Sequence, residues 1–445
     1  MMDQPQQRID NLDRVMRWLA IGLWLALAVI ITVKTLQNPE RHSTYPVFRE
    51  AAQAWWNGVN VYDFDVFGSD YRYGPSFALV MCLLAWLPFR VGALIWALLN
   101  VGIAYAATVA LCRRVLPGTT TPLVRSLVLI ATLIPATHCL YSGQTNLLVF
   151  SLLAFAAVAI LDQRWWPAAL LMAVAVHIKV WPLAGVLLLA TCWPRRLAWR
   201  LPIALLAVAA LPLLVKSPAV MLDQYVQWYQ HLIGPSQIRH TYRDAWTIWE
   251  LFYVPVNAQV YMLLQLGAAA TAFGLCLWQR VRLPPQRLVL FSLACWTAWQ
   301  LVFGPGTERN TFALIAPLTG WALVAALRER RAVWLMGLSY VCTVVAAVGK
   351  VEDLNIWFRI LHPLGISMFF GWFLWWNHKD CSAGSRPEGS PSILFFGKTT
   401  SETSRDPASV GVSARVVASR NSRFARFLPK MAAPPDVHAS KLKRQ

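Results

Sequence analysis

The chain has 445 residues, of which 57% are hydrophobic and only 14% are charged. Soluble domains carry about 25% charged residues, so the composition excludes an ordinary soluble protein. The net charge of +19 comes mainly from lysines and arginines in short segments between apolar runs and near the C-terminus. This distribution follows the positive-inside rule and favours a membrane protein over a nucleic-acid-binding protein.

Apolar runs repeatedly approach the roughly 20 residues that a helix needs to cross a bilayer, and about 10–12 such segments follow one another. We predict an all-α fold, a polytopic transmembrane helical bundle with some broken or re-entrant segments, in the cell inner (plasma) membrane. We divide the chain into a cytoplasmic N-terminus (1–17), a membrane domain (18–376) with outer loops at 38–74 and 216–257, and a disordered basic cytoplasmic tail (377–445).

Clusters of arginines between the apolar runs predict which loops face the cytoplasm. If all these clusters are cytoplasmic, an even number of crossings separates neighbouring clusters. Four polar segments then share the outer face and can converge into one site: 38–74, 141–146, 216–257 and 303–310. Since no soluble catalytic domain is evident, any chemistry is expected at this membrane surface.

Two apolar runs do not have the form of ordinary spans. Residues 75–88, PSFALVMCLLAWLP, are short and bounded by prolines, which favours a re-entrant or broken helix. Residues 166–191 are interrupted at their centre by HIKVWP, which predicts two half-helices that meet at the break. Discontinuous helices often mark binding sites in membrane proteins.

The first outer loop contains candidate catalytic carboxylates. Its VFREAAQAWW stretch has helical spacing, with Phe48, Ala51, Ala52 and Trp55 on one face, and we predict an interfacial amphipathic helix. The carboxylates are those of Glu50, in this stretch, and of Asp63, Asp65 and Asp70, before the proline-bounded segment. These clustered acids can take part in chemistry, and simple solvation of loop acids is the alternative.

Lys179 is the most informative single residue. A lysine in the middle of an apolar run costs about 2.5–3.5 kcal/mol unless its amine reaches water or an anion. His177 lies two residues before it and Pro182 breaks the helix after it. We predict that Lys179 and His177 bind an anion such as a phosphate, with snorkelling of the lysine as the alternative.

Other polar residues fall in the same outer segments. The GQTN turn, the QIRHTYRDAW stretch and the PGTERN stretch each place hydrogen-bonding or cationic groups beside a predicted span. The eight cysteines are scattered without CxxC spacing, so we expect neither a metal site nor a cofactor. The additional candidates are Arg239 and Arg243 for a donor phosphate, and Tyr45, Tyr73, Gln144, Asn146, Arg309 and Asn310 for substrate.

The order of these motifs resembles the polytopic GT-C glycosyltransferases. TYPVFREAAQAWWNGVNVYD, YRYGPSFALV, GQTN, HIKVWPL and a late RN pair are most similar to glycosyltransferase family 87, over roughly 41–317. The resemblance implies a hexosyltransferase that moves a mannose-like sugar from a polyprenyl-phosphate donor to a glycolipid or glycan acceptor on the non-cytoplasmic face. Thr44 stands where the family has its first-loop acid, and a threonine cannot act as a general base.

Two other functions fit the same sequence. Broken helices with a central cation also suit a transporter or flippase of an anionic lipid or sugar, although no inverted repeat is evident. A non-catalytic envelope-assembly protein would account for Thr44. Membrane lipids are expected neighbours in every case. An assay of sugar transfer in membranes supplied with a lipid-linked sugar distinguishes the glycosyltransferase from these two functions.

The orientation has a direct test. If both termini are cytoplasmic, cysteines introduced within 383–389 will not react with an impermeant maleimide added outside intact cells. Lysed cells provide the control, in which the same cysteines will react. Efficient labelling from outside would overturn the orientation.

Overall fold

A computed structural model of the protein describes residues 4–62, 71–234, 243–255, 257–348 and 356–382. Within these ranges every regular element is a helix, which confirms the predicted all-α fold. Asp63, Asp65, Asp70 and Arg239 lie outside the described residues, as does most of the predicted tail. The division of the chain into cytoplasmic, membrane and outer parts stays a prediction.

Helices follow one another with short connections. Two 3-10 segments, Leu211–Leu214 and Arg309–Ile315, interrupt the series. The α-helices are α1 (Gln4–Gln37), α2 (Tyr45–Trp56), α3 (Pro75–Ala85), α4 (Phe89–Arg114), α5 (Pro122–Tyr141), α6 (Asn146–Leu161), α7 (Trp165–Ile178), α8 (Leu183–Cys192), α9 (Pro194–Leu197), α10 (Arg200–Ala209), α11 (Pro218–Ile233), α12 (Trp246–Leu251), α13 (Ala258–Gln279), α14 (Pro285–Val302), α15 (Ala316–Glu329), α16 (Val333–Val348) and α17 (Ile356–Ser382).

The apolar helices fall into two length classes. Five in the described ranges are long and apolar enough to cross a membrane: Asp10–Gln37, Phe89–Arg114, Pro122–Tyr141, Ala258–Gln279 and Arg309–Glu329. Others are apolar but shorter, among them α3, α6, α7 and α8. The chain is therefore a multi-pass membrane protein in which several segments are too short for a complete crossing.

The break predicted within 166–191 is present, and the 75–88 segment forms only a short helix. Helix α3 has only 11 residues, and proline occupies its first turn. Helix α7 ends at Ile178 and α8 begins at Leu183, so the run breaks where HIKVWP predicts it. Lys179 has extended backbone angles at the break (φ −139°, ψ 142°), because Pro182 cannot continue a helix that would need its N–H.

Helix α2 buries the face that its spacing predicts. Phe48, Ala51, Ala52 and Trp55 are each no more than 1% exposed, and the helix packs against α3. Trp55 lies inside the protein, whereas its neighbour Trp56 is exposed.

The segment predicted as the outer loop 216–257 contains two helices. Ser217 caps α11 by accepting from the Val220 N–H, and proline follows it in the first turn. Leu222, Val226, Tyr229 and Ile233 recur at helical spacing and are all exposed. Polar residues lie between these apolar ones, so the mean hydropathy of the segment is lower than that of a membrane span. Hydropathy alone therefore predicts a loop here.

Helix α5 lies at the centre of the packing, in contact with α1, α15 and α16. At its first end, Trp321 and Arg328 of α15 donate to the carbonyls of Pro117 and Gly118. At its last end, Tyr141 leads into the turn that begins α6. The 20 residues of α5 separate these two ends by about 30 Å.

A hydroxyl pair fastens α11 across α3. Ser76 of α3 donates to the Val208 carbonyl at 2.7 Å and contacts the Tyr225 hydroxyl at 2.8 Å. Tyr225 also donates to the Ala209 carbonyl at 3.1 Å. These bonds tie α11 to α3 and α10 beside the chain that leads into α3.

Removal of this pair will loosen α11. Ser76→Ala will destabilise the protein by about 1–2 kcal/mol, because the Tyr225 hydroxyl and the Val208 carbonyl both lose the Ser76 hydroxyl as a hydrogen-bond partner. The readout is the thermal unfolding midpoint in detergent. Thr271→Ala is the matched control, since Thr271 donates to its own helix at an exposed site. Equal effects of the two changes would contradict the role of Ser76.

Candidate active site

The turn between α5 and α6, residues 141–146, is the centre of the candidate site. Ser142 ends α5 and donates from its hydroxyl to the His138 carbonyl at 2.8 Å. Gly143 has φ +65°, a left-handed conformation that glycine adopts without strain. Asn146 then begins α6 and is 2% exposed.

Three side chains that are distant in sequence donate to carbonyls of this turn. Lys34 of α1 reaches the Tyr141 carbonyl at 3.3 Å. Thr44, which precedes α2, and Trp96 of α4 both reach the Gly143 carbonyl at 2.8 Å. The turn is therefore held by α1, α4 and the residue before α2, which are distant from one another in sequence.

Lys179 contacts the same turn from the break between α7 and α8. Its amine donates to Asn146 Oδ1 at 2.8 Å and lies 5.2 Å from the centre of the Tyr73 ring. Within the described ranges no carboxylate lies at ion-pair distance from this amine. Lys179 is thus a half-buried cation with an amide and an aromatic ring as its neighbours.

Gly74 joins the first outer stretch to the break. Its N–H donates to the His177 carbonyl at 3.2 Å. A Cβ at Gly74 would lie 2.5 Å from that same oxygen, so only glycine allows this approach. The His177 ring is buried against its own helix, with Nδ1 at 2.9 Å from the Ala173 carbonyl, so the backbone of His177 makes the contact with Gly74.

Aromatic rings fill the space beside Lys179. Phe48 packs edge-on against Tyr73, Phe77 and Trp96, with ring centroids 4.8–5.4 Å apart. The Tyr62 hydroxyl donates to the Tyr73 carbonyl at 3.0 Å. Burial holds the pKa of the Tyr62 phenol well above its ordinary value, so it stays a neutral donor.

Tyr45 is a packing residue in this cluster. It is fully buried, and its hydroxyl donates to the Leu84 carbonyl at 2.9 Å. A Cβ at Gly92 would lie 1.9 Å from that hydroxyl oxygen, so Gly92 makes room for the ring. Tyr45 therefore orients α2 against α3 and α4, whereas Tyr73 is the tyrosine beside the lysine.

Two buried arginines lie near the last end of α5. Arg309 Nη2 is 2.6 Å from the nearer ring nitrogen of His138. Arg243 Nη1 is 2.9 Å from Nε2 of His362, and its backbone N–H donates to the Thr307 carbonyl at 2.9 Å. These contacts bring the 243–245 and 307–309 segments together. Their placement on the outer face stays a prediction.

Among the described residues, Glu50, Gln144 and Asn310 make no hydrogen bond to Lys179. Glu50 is exposed on α2, about 200° around the helix from the buried Phe48. The Gln144 side chain makes no hydrogen bond to any described residue. Asn310 Oδ1 is buried, and no described group donates to it. The structure thus brings together Lys179, Asn146 and Tyr73, with Glu50 on a different face.

Several contacting residues were not candidates from the sequence. Lys34 follows a uniformly apolar run, so its sequence position indicates only the end of a membrane span. Trp96 lies within an apolar run, where a tryptophan is an ordinary membrane residue. His138 and His362 sit within apolar helices, where a lone histidine reads as a packing residue. Their sequence signal is weak, since each acquires its role only through a partner from a distant helix.

The part of the chain that the structure describes contains no candidate metal site. No group of three or more His, Cys, Asp or Glu residues there could hold a metal ion. Seven described cysteines are buried and unpaired by disulfides. The chemistry open to the described site is that of fixed cations, amide and hydroxyl donors, and aromatic faces.

Fold and site together define a multi-pass helical membrane protein that holds a cation and aromatic rings beside a break in one of its helices. The family model of glycosyltransferase family 87 matches residues 71–348, more than half of the chain. The chain therefore belongs to this family and is a membrane glycosyltransferase. None of the curated proteins matches the chain. The matched range includes Tyr73, Asn146 and Lys179, whereas α2 precedes it.

The Gly74 contact predicts a sharp difference between two glycines. Gly74→Ala will destabilise the protein by about 1–3 kcal/mol, because the new Cβ meets a backbone oxygen that cannot rotate away. Gly102→Ala is the control, since a Cβ at Gly102 meets nothing within 4 Å. Thermal unfolding in detergent measures both. Equal midpoints for the two variants would contradict the close approach.

Proposed function

We propose that the chain is a GT-C-type hexosyltransferase that uses a polyprenyl-phosphate-linked, mannose-like sugar. It transfers the sugar to a glycolipid or glycan acceptor on the non-cytoplasmic face of the plasma membrane. The observation that carries this proposal is Lys179, whose amine lies at a helix break between an amide oxygen and an aromatic ring. Membership of glycosyltransferase family 87 supports the sugar-transfer part.

Lys179 suits the phosphate of such a donor. An ammonium group has three donors, and Asn146 takes one of them. Because Asn146 is a neutral ligand, the positive charge is not cancelled there. A phosphate oxygen would supply the opposite charge and would offset the cost of holding a lysine within an apolar run.

The surroundings of Lys179 suit a lipid-linked donor. Val180 and Leu187, on the C-terminal side of the lysine, are 36% and 51% exposed. Such apolar surface in a membrane protein faces lipid, so a polyprenyl chain can lie along α8 while its phosphate reaches the break. Tyr73, on the other side of the amine, is 7% exposed and packs against Phe48 and Phe77, and it is proposed to border the sugar beside the lysine.

Arg309 and Asn310 are proposed contacts for substrate near the same end of α5, and Arg243 is proposed as a contact for the donor phosphate. Arg243 and Arg309 are 3% and 8% exposed, and arginine forks suit planar or phosphate oxygens. Arg239 is proposed to assist at the donor phosphate, and Gln144 to bind substrate through its side-chain amide. The buried Asn310 Oδ1, without a donor among the described residues, can accept from a sugar hydroxyl.

The acceptor hydroxyl needs a general base. Glu50 and Asp70 are proposed about equally, with Asp63 and Asp65 behind them. Glu50 is exposed at the surface of α2, so it can serve a hydroxyl that approaches from that face. Asp70 directly precedes the Tyr71–Gly74 stretch that leads to Lys179 along the chain.

Lys179 is the first residue to test. Lys179→Ala will lower transfer from a polyprenyl-phosphate sugar by about a hundredfold at subsaturating donor, because the phosphate loses its charged ligand. Lys179→Arg will recover part of it, and Lys179→Gln will not. The assay uses membranes that contain each variant, supplied with a radiolabelled lipid-linked mannose.

Lys216→Ala is the matched control. Lys216 also lies among aromatic rings and donates to the Trp56 carbonyl at 2.7 Å, but the proposal gives it no substrate. Its loss will leave transfer within about twofold of the parent. Unchanged kinetics in Lys179→Ala would overturn the phosphate assignment, and absence of transfer by the parent would overturn the proposed activity.

Neutral isosteres test which carboxylate acts as the general base for the acceptor hydroxyl. Glu50→Gln or Asp70→Asn will lower kcat by about 10²-fold or more if the carboxylate takes the acceptor proton. Both variants are compared at saturating donor, after their membrane content has been equalised. Full activity in both would place the base on another residue.

A further inference from the structure

We propose that Thr44 is a positioning residue: its hydroxyl fixes the 142–146 turn that presents Asn146 to Lys179, and its surroundings exclude a carboxylate at this position. For its effect on donor use, the inference rests on the proposed function. The contacts themselves are independent of any substrate.

Thr44 meets the turn through both backbone and side chain. Its N–H donates to the Ser142 carbonyl at 2.9 Å. Its hydroxyl lies 2.8 Å from the Gly143 carbonyl and 3.2 Å from that of Ser142. Trp96 Nε1 donates to the same Gly143 oxygen at 2.8 Å. The Gly143 carbonyl thus receives two donors from two different elements.

The chemistry of these contacts requires a proton on the side chain at position 44. Both facing atoms are carbonyl oxygens, which only accept hydrogen bonds. A hydroxyl can donate to them, whereas an ionised carboxylate would place a negative charge against two oxygen lone pairs. An aspartate at position 44 would therefore push the turn away or rotate out of the cluster.

The turn transmits its position to Lys179 along a short path. Gly143 has φ +65°, a left-handed backbone conformation that directs its carbonyl towards Thr44 and Trp96. Three residues later Asn146 accepts from Lys179 at 2.8 Å. A turn that loses the Thr44 bond will therefore hold Asn146 and Lys179 less rigidly.

A second path leads through α2. Phe48 lies one turn after Thr44, and its ring contacts both Tyr73 and Trp96. Tyr73 in turn faces the Lys179 amine at 5.2 Å. Thr44 therefore anchors the helix whose aromatic face borders the proposed phosphate site, as well as the turn that ligates the lysine.

The kinetic test compares three substitutions at one position. Thr44→Val keeps the shape and loses the hydroxyl, and will raise the apparent KM for lipid-linked mannose about fivefold with a smaller change in kcat, since about fivefold corresponds to one net hydrogen bond. Thr44→Ser restores the donor and will return KM towards that of the parent. Thr44→Asp will be worse than Thr44→Val.

Two results would overturn the inference. A Thr44→Asp variant at least as active as the parent would show that position 44 accepts a catalytic acid. A Thr44→Val variant with the KM of the parent would show that the hydroxyl positions nothing. Trp96→Phe removes the other donor to Gly143 and will raise KM in the same direction, so the test survives if Thr44→Val folds poorly.

Cys139 gives a readout that needs no activity. Its thiol lies 3.8 Å from the Gln144 carbonyl and is 1% exposed beneath the turn. N-ethylmaleimide labelling of Cys139, followed by mass spectrometry, will be faster in Thr44→Val than in Thr44→Ser or the parent. Equal protection in all three would overturn the positioning role. If the parent transfers no sugar, the proposed function fails while this labelling still decides the inference.

Discussion

The hydrogen bond from Lys179 to Asn146 is the interaction on which the candidate site depends. It joins the break between α7 and α8 to the first residue of α6. A lysine within an apolar segment is tolerated only where its amine has ligands or water. The break provides the room, and Asn146 of α6 provides an amide oxygen. The helices around it are arranged so that the turn before α6 is held from three directions.

Features that depend on one local sequence could be predicted. Proline after a cation in an apolar run predicts the break at 179–182, and the alternation in VFREAAQAWW predicts the buried face of α2. In each case the residues that decide the structure are adjacent, and hydropathy or helical spacing carries the signal.

Features that depend on distant partners could not be predicted. Arg309 meets His138 across 171 positions, and Arg243 meets His362 across 119. Helix α11 was also missed, because its exposed apolar stripe alternates with polar residues and lowers the mean hydropathy. Nothing local distinguishes these histidines from packing residues or this helix from a polar loop.

Thr44 combines information from the local sequence with information from distant contacts. The sequence identifies its chemistry as incompatible with a general base, and the structure supplies a different use for the hydroxyl. The Gly143 and Ser142 carbonyls occupy the direction in which a side chain at position 44 points. The Thr44 hydroxyl therefore has partners in the 142–146 turn, although it cannot act as a general base.

The neutral character of the Asn146 ligand has a consequence for selectivity. Under the proposed function, a lysine whose charge no described carboxylate cancels would attract any phosphate in the membrane. Electrostatic attraction is long-ranged but does not distinguish one phosphate from another. Discrimination among phosphates would then come from short-range contacts with the sugar and with the lipid chain of the donor.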